Sequence, residues 1–168
     1  GRAEQYSRLF PTMILDWRGK WQNAGAKTDL PFYFVQIAPF NYNNNAAGME
    51  SAYLRDAQRT AASTPNSGMA VTLDIGNATD IHPRDKKTVG QRLARLALGQ
   101  TYGQKIVASG PVYQSARAEG DKVRVEFSNV GGGLEIRGDA AASRSFWIAG
   151  EDQKFFVAKA EIDGETLL

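Results

Sequence analysis

The stretch "GMAVTLDIGNATDIHPRDKKTVGQRLARLALG", residues 68–99, predicts a buried strand, a polar loop and an amphipathic helix. The strand is expected over 68–77, and its alternating apolar residues share one side: Met69, Val71, Leu73 and Ile75. The helix is expected over roughly 84–98, because its apolar residues recur at the spacing of a helix face. The loop between them carries Asp80 and His82, and His82 is the one histidine of the chain.

A second strand is predicted upstream, at "LPFYFVQIAP", residues 30–39. This continuous run of aromatic and β-branched residues is typical of a strand buried on both faces of a parallel sheet. A helix is predicted near the start of the chain, before this strand, and another is predicted after it, at 49–62. The first helix has one apolar stripe, made of Tyr6, Phe10, Met13, Ile14, Trp17 and Trp21. The order helix, strand, helix, strand, helix predicts an α/β fold, half of a doubly wound parallel sheet.

From about residue 104 onward the pattern becomes that of an all-β module. The segment "DKVRVEF", residues 121–127, alternates with a period of two, and Asp163-Gly164 suits a tight hairpin. We therefore expect an α/β region at 1–103 and a partial β-sandwich-like module at 104–168. The chain begins with a helix that no strand precedes and ends within a hairpin, so we expect it to be part of a longer protein.

Composition excludes several classes of function. The 168 residues include 20 basic and 18 acidic residues, for a net charge of +2, with no cysteine. Without clustered Lys and Arg we expect no nucleic-acid partner. Without cysteine, and with a single histidine, we expect neither a thiolate nor a multi-histidine metal site. No apolar stretch approaches the roughly 20 residues of a membrane span.

His82 and Asp80 are the strongest candidates for chemistry. In open α/β sheets, ligands bind beyond the carboxyl ends of the strands. Two polar loops follow the predicted strands: "QIAPFNYNNN", residues 36–45, and "DIGNATDIHP", residues 74–83. This topology predicts that five polar residues of these loops converge there: Gln36, Asn41, Asp74, Asp80 and His82. A histidine beside a carboxylate suits a general base. A histidine that caps the following helix beside a turn aspartate is the alternative.

No serine has the context of an esterase nucleophile. Ser63 and Ser67 lie in "ASTPNSG", which is predicted to be a loop entering a strand. A nucleophilic serine of an α/β hydrolase sits on a strand-to-helix turn instead. Both serines are therefore weak candidates.

Several segments resemble, in order, the sialate O-acetylesterases, which belong to the SGNH-type hydrolases. They include "GRAEQYSRLFPTMILDWRGKW", "LPFYFVQIAPF", "LRDAQ" and "TPNSGMAVTLDIGNATDIHPRDKKTVGQRLARLALGQTYG". The likeness extends from Gly1 to about Ile162 and is most specific over 64–103. It implies a flavodoxin-like SGNH sheet followed by the family's accessory β-module.

The resemblance also implies an activity: removal of O-acetyl groups from sialic acids by a periplasmic or secreted esterase. His82 matches the catalytic histidine, and the serine block and oxyanion hole of the family lie upstream of this chain. The isolated chain is then expected to be inactive without that N-terminal segment as its partner. Many SGNH hydrolases have their acid three residues before the histidine, where this chain has Thr79, so we expect either Asp80 or a main-chain carbonyl to orient His82. Gln36 and Asn41 are expected to line the sugar side.

Two other functions stay open at this stage. One is a non-catalytic carbohydrate-binding or structural module, which would need no base at the loop containing Asp80 and His82. The other is an acetylxylan-type carbohydrate esterase, which would share the chemistry and differ in substrate.

Overall fold

Two parallel strands joined by a helix form the centre of the first part of the chain. The computed structural model describes residues 2–26, 30–42, 50–137 and 145–168. It divides into two compact units, Gly1–Ala108 and Ser109–Leu168. The elements of the first unit are α1 (Ala3–Asn23), β1 (Phe32–Val35), α2 (Glu50–Ala61), β2 (Ser67–Ala70), α3 (Lys86–Leu96) and a π-helical turn (Ala97–Thr101). Their order confirms the predicted α/β arrangement.

The strands β1 and β2 pair in parallel, with Phe32 opposite Ser67 and Val35 opposite Ala70. The connection from β1 through α2 to β2 is a βαβ unit. Because α2 runs opposite to the strands, its first turns lie at their carboxyl ends. Residues that follow β1, precede α2 or follow β2 therefore share one edge of the sheet.

Burial along the segment predicted as a strand, residues 68–77, is the reverse of the alternation expected from hydrophobicity. Ala70 and Thr72 are buried, whereas Val71 is 41% exposed and Leu73 is 52% exposed. A Cβ on Gly68 would come within 3.0 Å of the Tyr33 ring, so this side of the strand is closely packed and selects small residues. Packing against neighbours, and not side-chain hydrophobicity, decides which side is buried.

Helix α1 packs beside α2 and along β1, with Phe10 against Phe34 and Trp17 against Phe32. It continues through Pro11 without a break. Ile14 is fully buried, and the Phe10 ring packs edge-on against Phe34 with centroids 4.7 Å apart. The predicted helix is confirmed, but the apolar stripe is only partly buried, because Trp17 and Trp21 are 49% and 59% exposed.

Arg18 is the buried charge of this helix, at 4% exposure. Its guanidinium donates hydrogen bonds of 2.8 Å to the carbonyl oxygens of Leu30, Pro65 and Asn66. It also donates to Ser67 Oγ at 3.3 Å. These acceptors lie just before β1 and β2, so one side chain joins α1 to the starts of both strands.

All regular elements described in the second unit are strands. They are β3 (Val112–Glu119), β4 (Lys122–Ser128), β5 (Trp147–Ala149), β6 (Phe155–Val157), β7 (Ile162–Asp163) and β8 (Thr166–Leu167). A four-stranded sheet has the order β3-β4-β8-β7, and β5 pairs with β6 separately. The predicted hairpin joins β7 to β8, where Gly164 has a positive φ of 61° that glycine adopts without strain.

Charged side chains line one face of the four-stranded sheet. Arg124 donates to Glu119 at 2.8 Å and to Asp163 at 2.7 Å. Arg117 pairs with Glu126, which also accepts from Ser115. The hydrogen bond from Arg124 lowers the pKa of Glu119, and those from Ser115 and then Arg117 lower that of Glu126.

Within the described ranges, no helix has the length and apolar character needed to cross a membrane.

Candidate functional site

The loops that follow β1 and β2 are hydrogen-bonded to each other along their main chains. The N–H of Asn41 donates to the carbonyl of Ala78 at 3.0 Å, and the N–H of Asn77 donates to that of Pro39 at 3.2 Å. The two loops therefore lie side by side at the carboxyl edge of the sheet, as the parallel topology predicts.

Gly76 makes this close approach possible. A Cβ at this position would lie 2.4 Å from the carbonyl oxygen of Pro39 and 2.7 Å from its nitrogen. Both atoms belong to the backbone, so a side chain here would push the loops apart. The loops fit together only with glycine at this position.

Asp80 shapes the backbone at His82. Its Oδ1 accepts the main-chain N–H of His82 at 2.8 Å, and the Nδ1 atom of the His82 ring lies 3.7 Å from the same oxygen. That ring distance exceeds a hydrogen bond. The His82 side chain is 88% exposed and the Asp80 side chain 43% exposed. Asp80 thus holds the turn and leaves the imidazole accessible next to a carboxylate.

Thr79 lies three residues before His82 and takes part in a second turn. Asn77 Oδ1 accepts the Thr79 N–H at 2.9 Å and the Thr79 hydroxyl at 3.0 Å. Two successive side-chain-to-backbone turns therefore define the path from Asn77 to His82.

Helix α3 begins later than the sequence predicted. Its cap is Asp85, whose carboxylate accepts from the N–H of Thr88 at 3.0 Å and from its hydroxyl at 2.7 Å. These hydrogen bonds lower the pKa of Asp85. His82 consequently lies in the loop and does not cap the helix, contrary to the alternative interpretation.

Asp74 is directed to α3. Both of its carboxylate oxygens accept from Arg92 at 2.6 Å, and Arg92 Nη1 also donates to the carbonyl of Val71 at 2.6 Å. The hydrogen bond with Asp74 raises the pKa of Arg92. Asp74, one of the five residues expected to converge, therefore anchors the start of the His82 loop to α3.

Gln36 and Asn41 occupy different environments at this edge. Gln36 is 7% exposed, and its Nε2 donates to the carbonyl of Arg55 at 3.3 Å. Its Oε1 is buried and has no hydrogen-bond partner among the described residues. Asn41 is exposed and is held through its main chain. Its side chain is thus the more accessible of the two.

Helix α2 contributes polar residues that sequence reasoning missed. Gln58 is buried, and its Oε1 accepts the N–H of Ile37 at 2.9 Å. Arg55 is partly buried one turn earlier, and its Nη2 lies 3.3 Å from Ser51 Oγ. Their spacing in the sequence could have indicated this role, because residues 55 and 58 are one helical turn apart and lie on the side of α2 that faces the sheet.

The weak serine candidates lie at the other end of β2. Ser67 begins that strand and contacts Arg18, and the Ser63 hydroxyl donates to the carbonyl of Thr60 at 2.7 Å. His82 follows the carboxyl end of the strand. The structure therefore does not bring either serine to the histidine. Across the described residues, no group of three or more His, Cys, Asp or Glu side chains is placed to hold a metal ion.

Comparisons with known proteins agree on one kind of relative. Over 120 residues, 64% of this chain, it is 32% identical to the sialate O-acetylesterase of Mus musculus. It is 31% identical to that of Rattus norvegicus over the same length. A crystal structure described as a novel carbohydrate acetylesterase from Xanthomonas citri superposes with a TM-score of 0.84 at 40% identity, over 97% of this chain. No protein-family model matches the chain.

The chain is shorter than each of these relatives. It spans 22% of the two rodent proteins and 37% of the bacterial one. The superposition covers nearly the whole of the present chain, so the elements described above occur together in an acetylesterase. This chain is thus similar to part of the sialate O-acetylesterases, and it shares the fold of part of a carbohydrate acetylesterase.

Proposed function

We propose that this chain supplies the histidine-bearing part of a serine esterase that removes O-acetyl groups from sialic acids. The observation that carries the proposal is the His82 loop. An exposed imidazole stands beside a carboxylate at the carboxyl edge of a parallel sheet, where such folds bind ligands. The names of the relatives support an ester of a carbohydrate as the substrate.

In the proposed reaction, His82 is first a general base and then a general acid. Its Nδ1 is turned toward Asp80, which leaves Nε2 to take the proton from the serine hydroxyl. The serine Oγ bonds to the acetyl carbon, and the sugar oxygen leaves with the proton from Nε2. Water then releases acetate by the reverse sequence of proton transfers, and no metal or cofactor is required.

Asp80 is proposed to place His82 through the backbone turn and to favour the imidazolium that forms during the reaction. Asn41 is proposed to line the sugar side, with the buried Gln36 supporting it from beneath. The serine and the oxyanion donors are proposed to come from a segment outside these 168 residues, because neither Ser63 nor Ser67 lies at the histidine. The isolated chain is then inactive. Action outside the cytoplasm, which the family resemblance implies, stays a prediction.

The test is hydrolysis of p-nitrophenyl acetate by the 168-residue chain, with and without the serine-bearing segment. We expect the chain alone to match its His82→Ala control, and the complete protein to lose turnover by about 10²–10⁴-fold in His82→Asn. Turnover of His82→Asn within about tenfold of wild type would contradict the catalytic role. Activity of the chain alone that depends on His82 would place the nucleophile within it.

A further inference from the structure

The carboxyl edge of the sheet holds a cation, Arg55, that the proposed reaction does not use. Its position on α2 is fixed on two sides. Gln36 Nε2 donates to the main-chain carbonyl of Arg55, and one turn later Gln58 Oε1 accepts the N–H of Ile37. The helix turn that carries Arg55 is therefore bonded to the residues that directly follow β1.

The guanidinium of Arg55 extends toward the start of α2, where its Nη2 lies 3.3 Å from Ser51 Oγ. Since α2 runs opposite to the strands, this direction leads to the edge that carries the His82 loop. The loop from Gln36 to Asn41 connects α2 to the His82 loop, because it is bonded to α2 at one end and to Ala78 at the other. Arg55 and His82 thus share one edge of the sheet.

Within the described ranges, no carboxylate forms an ion pair with Arg55. Burial lowers its pKa, and the nearby Tyr42 raises it. Two other arginines of this unit do have a carboxylate partner: Arg59 pairs with Asp56, and Arg92 pairs with Asp74. A guanidinium presents several N–H donors in a planar fork, and a carboxylate is the group that fits this fork.

The neighbouring Gln36 gives a second sign of incomplete hydrogen bonding at this corner. Its Oε1 is buried and has no partner among the described residues. Buried polar atoms are nearly always hydrogen-bonded, and exceptions concentrate at sites where water or a ligand completes the network. A charged donor, the Arg55 guanidinium, and an unsatisfied amide oxygen, Gln36 Oε1, therefore lie on adjacent elements of the same edge.

We propose that Arg55 binds the carboxylate of an acidic sugar and so makes the site prefer acidic over neutral sugar esters. This inference rests on the proposed function, because it places the sugar at the edge that carries His82. Arg55 is then a specificity-determining residue. It takes no part in proton transfer, and its effect falls on substrates that carry a carboxylate.

The experiment measures kcat and KM of the complete protein on three acetyl esters. They are O-acetylated sialic acid, the same sugar with its carboxylate blocked as a methyl ester, and p-nitrophenyl acetate. The variants are Arg55→Gln and Arg55→Lys. Arg59→Gln is the matched control, because it removes the same charge from the next turn of α2, where the side chain is 40% exposed and pairs with Asp56.

We expect Arg55→Gln to lower kcat/KM on the acidic sugar by about 10–100-fold, mainly through KM, as for loss of a charged hydrogen bond. The methyl ester and p-nitrophenyl acetate should be unaffected, and Arg55→Lys should recover part of the loss. Equal losses on all three esters would overturn the inference. So would a wild-type protein that does not distinguish the acidic sugar from its methyl ester.

A binding measurement separates this inference from the proposed function. NMR titration of the complete protein with unesterified sialic acid needs no turnover. If the wild type binds it more tightly than Arg55→Gln does, Arg55 binds the carboxylate even should the esterase activity be absent. Equal binding by both proteins would overturn the role of Arg55 and leave the role of His82 standing.

Discussion

Thr72 and Gln36 are joined by a hydrogen bond of 2.7 Å from the threonine hydroxyl to the main-chain carbonyl of Gln36. Thr72 is 1% exposed, so this bond is shielded from water. It links the residue that follows β1 to the start of the His82 loop. The two loops at the carboxyl edge are therefore connected at their base as well as along their length.

Replacing Thr72 by valine should destabilise the protein by about 1–3 kcal/mol, because it leaves a buried carbonyl without its donor. Thr72→Ser keeps the hydroxyl and is the matched control. Urea unfolding of both variants checks the prediction. Equal stability of the valine and serine variants would show that the hydroxyl contributes little.

Asp80→Asn and Asp80→Ala separate two roles of this carboxylate. The asparagine oxygen can still accept the N–H of His82, which Asp80 accepts at 2.8 Å, whereas alanine cannot. Because the ring nitrogen is farther away, at 3.7 Å, we expect turnover to fall less in Asp80→Asn than in Asp80→Ala. Steady-state kinetics of the complete protein gives the answer. Equal losses would show that the charge beside the ring is what matters.

Gly76→Ala should separate the two loops. The new Cβ would meet the backbone of Pro39 at 2.4 Å, and we expect a loss of roughly 1–3 kcal/mol of stability together with lower turnover. Gly90→Ala is the control, because nothing lies within 4 Å of a Cβ there. That change, within α3, should stabilise by about 0.5–1 kcal/mol. Thermal melts and activity assays compare the two.

Arg18→Met should be among the most damaging single changes in the first unit. It removes the donor from three carbonyls that accept at 2.8 Å, and charged hydrogen bonds of this kind contribute about 1.5–3 kcal/mol each. Arg8→Met changes an exposed arginine of the same helix and should alter stability by no more than about 0.5 kcal/mol. Chemical denaturation distinguishes them. Similar stabilities of the two variants would contradict the anchoring role of Arg18.

The second unit should lose stability in acid. The hydrogen bond from Arg124 lowers the pKa of Glu119 below its ordinary value of 4.5, so the folded protein binds this proton less readily than the unfolded chain does. The resulting stabilisation is present above about pH 4.5 and is lost as the pH falls through the folded pKa. Melting temperatures across this range should fall less steeply in Glu119→Gln. Glu161→Gln, at an exposed position of the same unit, should retain the wild-type slope.

Sequence periodicity predicted the order of helices and strands, and parallel topology then predicted that the two loops meet. Both follow from local regularities that a single sequence displays. The buried side of β2 did not follow, because Gly68 and Ala70 are selected by the neighbours that pack on them. The predicted strand was also too long: β2 ends at Ala70, and beyond it the Val71 carbonyl accepts from Arg92 and the Thr72 hydroxyl donates to the carbonyl of Gln36.

The partners of charged residues could not be read from the sequence at all. Arg18 finds its acceptors at Leu30, Pro65 and Asn66, far along the chain. Asp74 was expected at the site, and it is bound instead by Arg92, 18 residues later. A carboxylate is equally suited to catalysis and to an ion pair, and only the three-dimensional neighbourhood decides between them.

The loops at the carboxyl edge are held together by main-chain atoms at Asn41, Ala78, Asn77 and Pro39. Mutation can therefore change the side chains there without removing the bonds that keep the loops in place. Under the proposed function, such a frame would let the sugar preference of the site change by mutation while the position of His82 is kept.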